Sequence, residues 1–343
     1  MKFNIKGSVL FAAMGLSYAL ALPAYGQGGA QVYGVLDLWA GGSKTSGAGP
    51  SITSVNNGGM QSSFWGVGGS EDLGGGMRSI YAVEGYLQLD TGAAGRSATD
   101  AMFARNAYVG LTGIYGEIKL GRLLNPLFVS TALTNPFGGS IRFAPLLAQI
   151  WSVPMGRAVS GDTSWDNTIA YNTPAINGFK LSSYLGLGET AFGTGTRNAN
   201  ATLSYSAGAL YLTATAQQVK VGPGLVKIGT SEQRTYYAGT TYDMKVLKLY
   251  GSYASADSDQ PDKKARTSQI GVAIPGGLGS FLLSWAQTKI EAPGTADARR
   301  DTGAFGYDYY VSKRTDLYAV AQYDKLNSAN GASTFGVGIR HKF

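Results

Sequence analysis

The sequence predicts an all-β protein, a 16-stranded antiparallel transmembrane β-barrel, on three observations. Runs of about ten residues alternate in polarity with period two, which is strand and not helix. Short turns and long polar loops alternate between those runs, as in membrane barrels. The composition fits neither a cytosolic domain nor a helical bundle. Of 343 residues, 50 are Gly and 14% are charged, against ordinary usage of roughly 7% and 25%. The 21 Tyr, 13 Phe and 5 Trp exclude a disordered chain. Mean hydropathy is −0.03, and beyond residue 26 no uncharged apolar run is long enough for a spanning helix. The absence of Cys excludes disulfide frameworks and Cys-ligated zinc.

The first element is a targeting segment. Lys2 and Lys6 precede an apolar run from Val9 to Leu22, Pro23 breaks it, and Ala24-Tyr25-Gly26 places small residues at the −3 and −1 positions. This predicts a cleavable secretory signal over residues 1–26 and a barrel domain over 27–343. Cleavage removes two lysines and no carboxylate, taking the formal charge from +7 to +5.

The strands follow. From Ala209 to Lys220, Leu210, Leu212 and Ala214 share one face while Tyr211, Thr213 and Thr215 share the other. The last run puts Phe335, Val337, Ile339, His341 and Phe343 on one face and Gly336, Gly338, Arg340 and Lys342 on the other. Short connections are expected at Glu71–Gly76, Gly113–Gly116, Pro174–Gly178, Ala207–Ala209, Asp243–Lys245, Pro275–Gly279 and Ser312–Arg314. Long ones are expected at Gly42–Met60, Leu89–Met102, Leu124–Asp162, Glu189–Asn198, Val221–Gln233, Asp257–Ala265, Glu291–Asp301 and Asn327–Ser333. A soluble sandwich would need a buried inner face on every sheet. Here the second face is Gly, Ser, Thr, Gln and Tyr, which suits a wet lumen.

Several segments carry a family likeness. They are Val32-Tyr33-Gly34-Val35-Leu36-Asp37, Gly69-Ser70-Glu71-Asp72-Leu73-Gly74-Gly75-Gly76, Arg105-Asn106-Ala107-Tyr108-Val109-Gly110-Leu111, Leu120-Gly121-Arg122, Asn167-Thr168-Ile169-Ala170-Tyr171, Ser312-Lys313-Arg314-Thr315-Asp316-Leu317-Tyr318, and the ending Gly338-Ile339-Arg340-His341-Lys342-Phe343. With them the chain resembles the Gram-negative general porins, most closely the trimeric neisserial and burkholderial type. The resemblance implies a homotrimer in the outer membrane, amid lipid and lipopolysaccharide, whose third loop folds inward and narrows a diffusion channel for small hydrophilic solutes and ions. It also implies that the outer-membrane assembly machinery reads the terminal Phe343. Asn135-Pro136-Phe137-Gly138-Gly139 looks like the bend of the family's constriction loop, at Pro136, Gly138 and Gly139.

The residues single out the same loop independently. Leu124–Asp162 is the longest connection and carries Phe128, Phe137, Phe143, Leu146, Leu147, Ile150 and Trp151. A loop packed on a wall needs such residues. From Ile118 to Gly161 there are four basic residues (Lys119, Arg122, Arg142, Arg157) and no acidic one. Parity directs Arg78 and Glu84 inward, with Glu117 and Lys119. It reads Asn106 and Tyr108 as outward, leaving Arg105 on the lumen face with Ala107 and Val109. Arg122 falls outward with Ile118 and Leu120, and a charge there is costly in lipid, so it is expected at a subunit interface. Arg142 and Arg157, helped by Arg78, Arg105 and Lys119, are expected to set a weak to moderate anion preference. The alternative for the two loop arginines is to tie the loop to the wall. Porins of this type commonly carry Arg where Phe64 and Gly68 stand, and often near Trp165 and Ala170, so strong selectivity is not implied.

Other functions find little material. The only His, His341, faces outward, and no Gly-x-Ser-x-Gly, His-Glu-x-x-His or P-loop pattern occurs. No enzymatic activity, cofactor or metal is expected. Asp257-Ser258-Asp259 with Asp262 lacks the spacing of a calcium site. Scattered positive charge argues against nucleic acid. A substrate-specific phosphate or carboxylate channel is the nearest alternative, and a surface adhesin or anchor a more distant one.

Overall fold

The computed structural model describes residues 29–188, 197–220, 232–259 and 262–343. The signal segment expected over 1–26 lies outside the described residues, as does most of the loops expected at Glu189–Asn198 and Val221–Gln233. Sixteen long strands build the wall: β1 Gln31–Ser43, β2 Phe64–Gly74, β3 Met77–Gln88, β4 Asn106–Gly113, β5 Gly116–Leu124, β6 Ser164–Asn172, β7 Phe179–Leu187, β8 Arg197–Ala207, β9 Leu210–Val219, β10 Gln233–Asp243, β11 Lys248–Asp259, β12 Asp262–Gly276, β13 Gly279–Glu291, β14 Ala298–Tyr310, β15 Thr315–Leu326 and β16 Ala332–Lys342. Each pairs antiparallel with its neighbour in sequence. The sheet closes where β1 meets β16 from Val35↔Lys342 to Gly42↔Phe335. Phe343 seals the seam by exchanging two backbone hydrogen bonds with Gly34, both 3.2 Å. Closure leaves no unpaired edge, which the hydrocarbon of a bilayer demands.

The alternation is the one the sequence predicts. Leu203, Leu212, Tyr236, Tyr253, Leu283, Phe305 and Val337 are exposed on the outer face, while Thr202, Thr213, Tyr237, Ala254, Ser284 and Ala304 between them are buried. Two features depart from expectation. The segment expected as loop Gly42–Met60 contains a short strand, Ile52–Asn57, that extends the sheet beside β1. The hairpin expected to open at Asp257–Ala265 stays paired as far as Asp259↔Asp262.

No helix among the described residues is long and apolar enough to cross a membrane. Among the described residues the helices lie in the third loop, and the largest hydrophobic cluster is formed where that loop meets the inner wall.

Candidate functional site

The third loop leaves β5 and returns to β6 as a belt inside the barrel. Asn125 starts its first helix, α1 (Pro126–Leu133), by accepting the Leu127 N–H on its side chain at 2.9 Å, and Pro126 takes the first-turn position where no N–H is needed. Ser130 Oγ lies 3.2 Å from Thr213 Oγ1, placing α1 against β9. The chain then bends. The Asn135 side chain accepts the Phe137 N–H and donates to Thr131 and Gly138 carbonyls, and Gly138 takes φ +57°, the left-handed region that favours glycine. A second helix, α2 (Pro145–Trp151), is held at Gln149, whose amide donates to Thr302 Oγ1 at 2.8 Å and accepts from Thr288 Oγ1 at 2.6 Å. The expected apolar residues of this loop are all buried, with Phe137, Phe143, Leu146, Leu147 and Ile150 at 0% exposure. The belt therefore packs on the wall from β9 round to β1, where Phe143 meets Trp39 edge to face at 5.1 Å. Inner residues of β9–β16 are mostly buried beneath it. On β4, β5 and β7 the inner residues Tyr108, Lys119, Lys180 and Ser182 keep partial or full exposure, whereas Thr168, Ala170 and Asn172 of β6 are buried; the belt leaves this side of the lumen the more open one.

The expected lumen charges separate into two kinds. Glu84 points inward as parity predicts. It is buried, accepting the Tyr33 hydroxyl at 2.6 Å, the Asn106 amide at 2.5 Å and the Arg105 guanidinium. Arg105 is only 4% exposed and stacks 3.9 Å above the Phe64 ring, so it is a neutralised wall pair and not an open charge. On β4 the facing is the reverse of the parity expectation. Val109 and Leu111 are exposed outward while Asn106 is buried against Glu84, so Asn106 and Tyr108 face the lumen and Ala107 and Val109 do not. Arg105 precedes the strand and does not share its alternation. Lys119 pairs with Glu117 at 2.9 Å and lies 4.8 Å over Tyr108. Arg78 donates to Ser70 Oγ and makes no ion pair.

On the belt, Arg142 donates to Thr334 Oγ1 at 2.8 Å and lies 5.5 Å over Trp39. Arg157 donates to the Val159 and Gly161 carbonyls of its own loop. Both thus brace the belt, and among the described residues neither forms an ion pair. Pro136 and Gly138 form the bend, and a Cβ at Gly139 would meet nothing within 4 Å.

Arg122 shares the side of Ile118 and Leu120, which are exposed. A bulge between Gly121 and Leu123 lets it reach Asp162 at 2.7 Å and Asp166 at 2.6 Å. Its charge is therefore balanced within one chain. Arg96 joins the same cluster, bonding Asp162 at 2.8 Å and Asp100 at 2.8 Å, and so clamps the loop after β3 to the root of the belt. Burial alone would raise the Asp162 carboxyl, but hydrogen bonds and charge from Arg96, with Arg122 behind them, hold it down to about 2. A depressed folded-state value means stability that is present above the ordinary 3.8 and lost as pH falls through about 2. Asp162→Asn is expected to lower barrel stability by about 2 kcal/mol at neutral pH. The gap from wild type should close toward pH 2, which urea midpoints at stepped pH would show. A gap that is unchanged at pH 2 would sink the clamp.

The chain matches the family model for Gram-negative porins over residues 10–329. The chain belongs to the Gram-negative porin family. Among its relatives are outer membrane porin protein 32 of Delftia acidovorans, 27% identical with 100% of both chains covered, and an outer membrane porin protein of Bordetella pertussis, 27% identical with 84% of each covered. Among solved structures, an anion-selective porin from Comamonas acidovorans superposes with a TM-score of 0.78 at 26% identity, covering 92% of this chain and 99% of that one. The protein is thus a porin channel of the Gram-negative outer membrane, not an enzyme.

The sequence reading missed most charges of this porin's far wall. Arg300 pairs with Asp324 at 2.6 Å, and Arg340 with Asp316 at 3.0 Å and Asp308 at 3.3 Å, all buried on the inner face. Lys180 lies on the inner face of β7 between outward Phe179 and Leu181. Asp308, Asp316, Asp324, Arg340 and Lys180 were legible by parity, because each adjoins an exposed aromatic or aliphatic residue; Arg300 stands between Arg299 and Asp301 and carried no such signal.

Proposed function

We propose that this porin is a general diffusion channel of weak to moderate anion preference that works as a homotrimer. The observation that carries the preference is an asymmetry among lumen charges. The carboxylates Glu84, Glu117, Asp308, Asp316 and Asp324 are each taken up by an Arg or Lys. Among the described residues Arg78, Arg142, Arg157, Lys180 and Lys342 have no ion-pair partner. The lumen therefore offers cations and few open carboxylates to a passing ion. Likeness to an anion-selective porin supports the same sign. A unit charge 8 Å from an ion contributes about 2 kcal/mol at an effective dielectric of 20, before screening over a Debye length of ~8 Å. Two or three such charges after screening give roughly tenfold preference. Among the described residues these cations are spread over separate strands and the belt and not gathered in one ring, so a strict filter is not expected.

Kinship supports the trimer and the reading of Phe343 by the assembly machinery. A signal segment over residues 1–26 belongs to the same proposal, as do lipid and lipopolysaccharide on the apolar outer face. An interface role for Arg122 also belongs to it, through the outward carboxylate of Asp166, which remains 69% exposed.

Reversal potential across a planar bilayer in a tenfold KCl gradient tests the preference. Wild type should give an anion-directed potential, and Arg142→Glu/Arg157→Glu should move it toward cations. Because both arginines also brace the belt, Lys180→Glu serves as a second variant with no bracing bond to lose. If all three proteins show the same potential, the assignment fails.

A further inference from the structure

The belt lies close on the wall because the wall is notched where the belt crosses it. Gly239 on β10, Gly271 on β12, Gly306 on β14 and Gly336 on β16 each stand beneath one belt residue, in the belt's own chain order. A Cβ at Gly239 would lie 2.8 Å from Cγ2 and Oγ1 of Thr134, and one at Gly271 would lie 2.7 Å from Cδ of Pro136. At Gly306 it would meet Val320 Cγ2 of the wall at 3.0 Å and Phe137 Cε1 of the belt at 3.2 Å. At Gly336 it would meet Trp39 Cε3 of the wall at 2.6 Å and Phe143 Cζ of the belt at 2.9 Å, so Gly239 and Gly271 are the two notches whose nearest neighbour is the belt itself. Ladder pairs align the four. Gly239 pairs with Ser252, which pairs with Gln269, two residues from Gly271. Gly271 pairs with Ser284, which pairs with Ala304, two residues from Gly306. Gly306 pairs with Val320, which pairs with Gly336. One oblique line thus runs across β10–β16. None of the four has positive φ, so the backbone does not require glycine at any of them. What glycine supplies there is room.

We propose that Gly239, Gly271, Gly306 and Gly336 are positioning residues that set the aperture of the pore, and with it the largest solute that passes. The proposal rests on the channel reading above. A packed interior transmits added volume as displacement. The barrel wall is held by ladder hydrogen bonds on both sides, whereas the belt faces open lumen, so the belt is the part that moves. Its movement is inward, and it narrows the passage between the belt and β4–β7.

The test uses the full-length porin with two readouts, single-channel conductance and the swelling rate of liposomes in sugars of graded size. Gly271→Ala should lower conductance by about half and reduce flux of sugars near the cut-off by more. Pro136→Ala removes the two atoms nearest the new methyl group, so Gly271→Ala/Pro136→Ala should recover both readouts. Gly303→Ala is the control, because a Cβ there meets nothing within 4 Å. Gly239→Ala is the second variant, since the three atoms nearest its Cβ all belong to Thr134 of the belt, at 2.8–3.0 Å, and it keeps the test alive if Gly271→Ala does not fold. Recovery in the double variant with an inert Gly303→Ala supports the assignment. Folded Gly271→Ala or Gly239→Ala barrels with wild-type conductance and cut-off overturn it. Wild type is measured in the same bilayers, so an unchanged variant leaves the channel reading standing, and a silent wild type removes that reading separately.

Discussion

Asp37→Ala barrels should unfold at much lower urea than wild type, with a loss of about 3–5 kcal/mol. Asp37 sits on the inner face of β1 at 0% exposure. Its carboxylate accepts the backbone N–H groups of Gly59, Met60 and Gln61, each at 2.9 Å, and the Tyr318 hydroxyl at 2.5 Å. Truncation takes the acceptor from all four donors, of which the Gly59 and Met60 N–H groups are fully buried, and each buried orphan costs about 1–3 kcal/mol. Asp37→Asn keeps one acceptor oxygen but turns an amide toward backbone N–H groups, so it should fall between Ala and wild type. The effect reaches the pore. Gly59 offers its carbonyl to Ser140 Oγ of the belt at 2.5 Å, so an unanchored Gly58–Ser63 segment frees one end of the constriction. Added noise in single-channel records should accompany the lower midpoint in urea. A midpoint equal to wild type would mean that water satisfies those donors as well as the carboxylate does.

Asp37 also shows why lumen charges cannot be counted from parity alone. Both Asp37 and Glu84 alternate inward, yet both are enclosed by donors and withdrawn from the ion path. Strand direction was legible wherever one face is uniformly apolar, as with Leu317, Phe335, Val337 and Ile339. It failed at β4, where the apolar set Ala107, Val109 and Leu111 does face out. Assigning Arg105 to the strand reversed the reading, because a side chain just outside a ladder obeys no period. The belt was legible as an apolar loop with Asn125-Pro126 as a helix start. Its route was not, because Pro136 and Phe143 choose their wall partners across more than a hundred residues of sequence. The inner glycines were visible as glycines only. What they make room for is a tertiary fact.

The pair at Glu84 and Arg105 gives the second large effect and separates structure from selectivity. Glu84→Ala strands a guanidinium that is 5% exposed in its side chain, and breaking a buried pair this way costs about 3–5 kcal/mol. Asn106 loses a partner as well, and its Oδ1 accepts the Leu124 N–H at 3.0 Å where the belt begins. Replacing both members with apolar groups of similar volume, Glu84→Leu/Arg105→Met, removes the stranded charge but not the loss of the Tyr33 and Asn106 bonds to Glu84, so stability should lie between Glu84→Ala and wild type. The two variants should also differ in reversal potential. The pair is neutral, so the double substitution leaves the lumen charge balance as it was. The single substitution adds one open cation beside β2 and β3 and should push the potential further toward anions. Measuring urea midpoint and reversal potential on both proteins decides the matter. If the double variant shifts the potential as far as the single one, Arg105 already acts on passing ions and its pairing with Glu84 does not screen it.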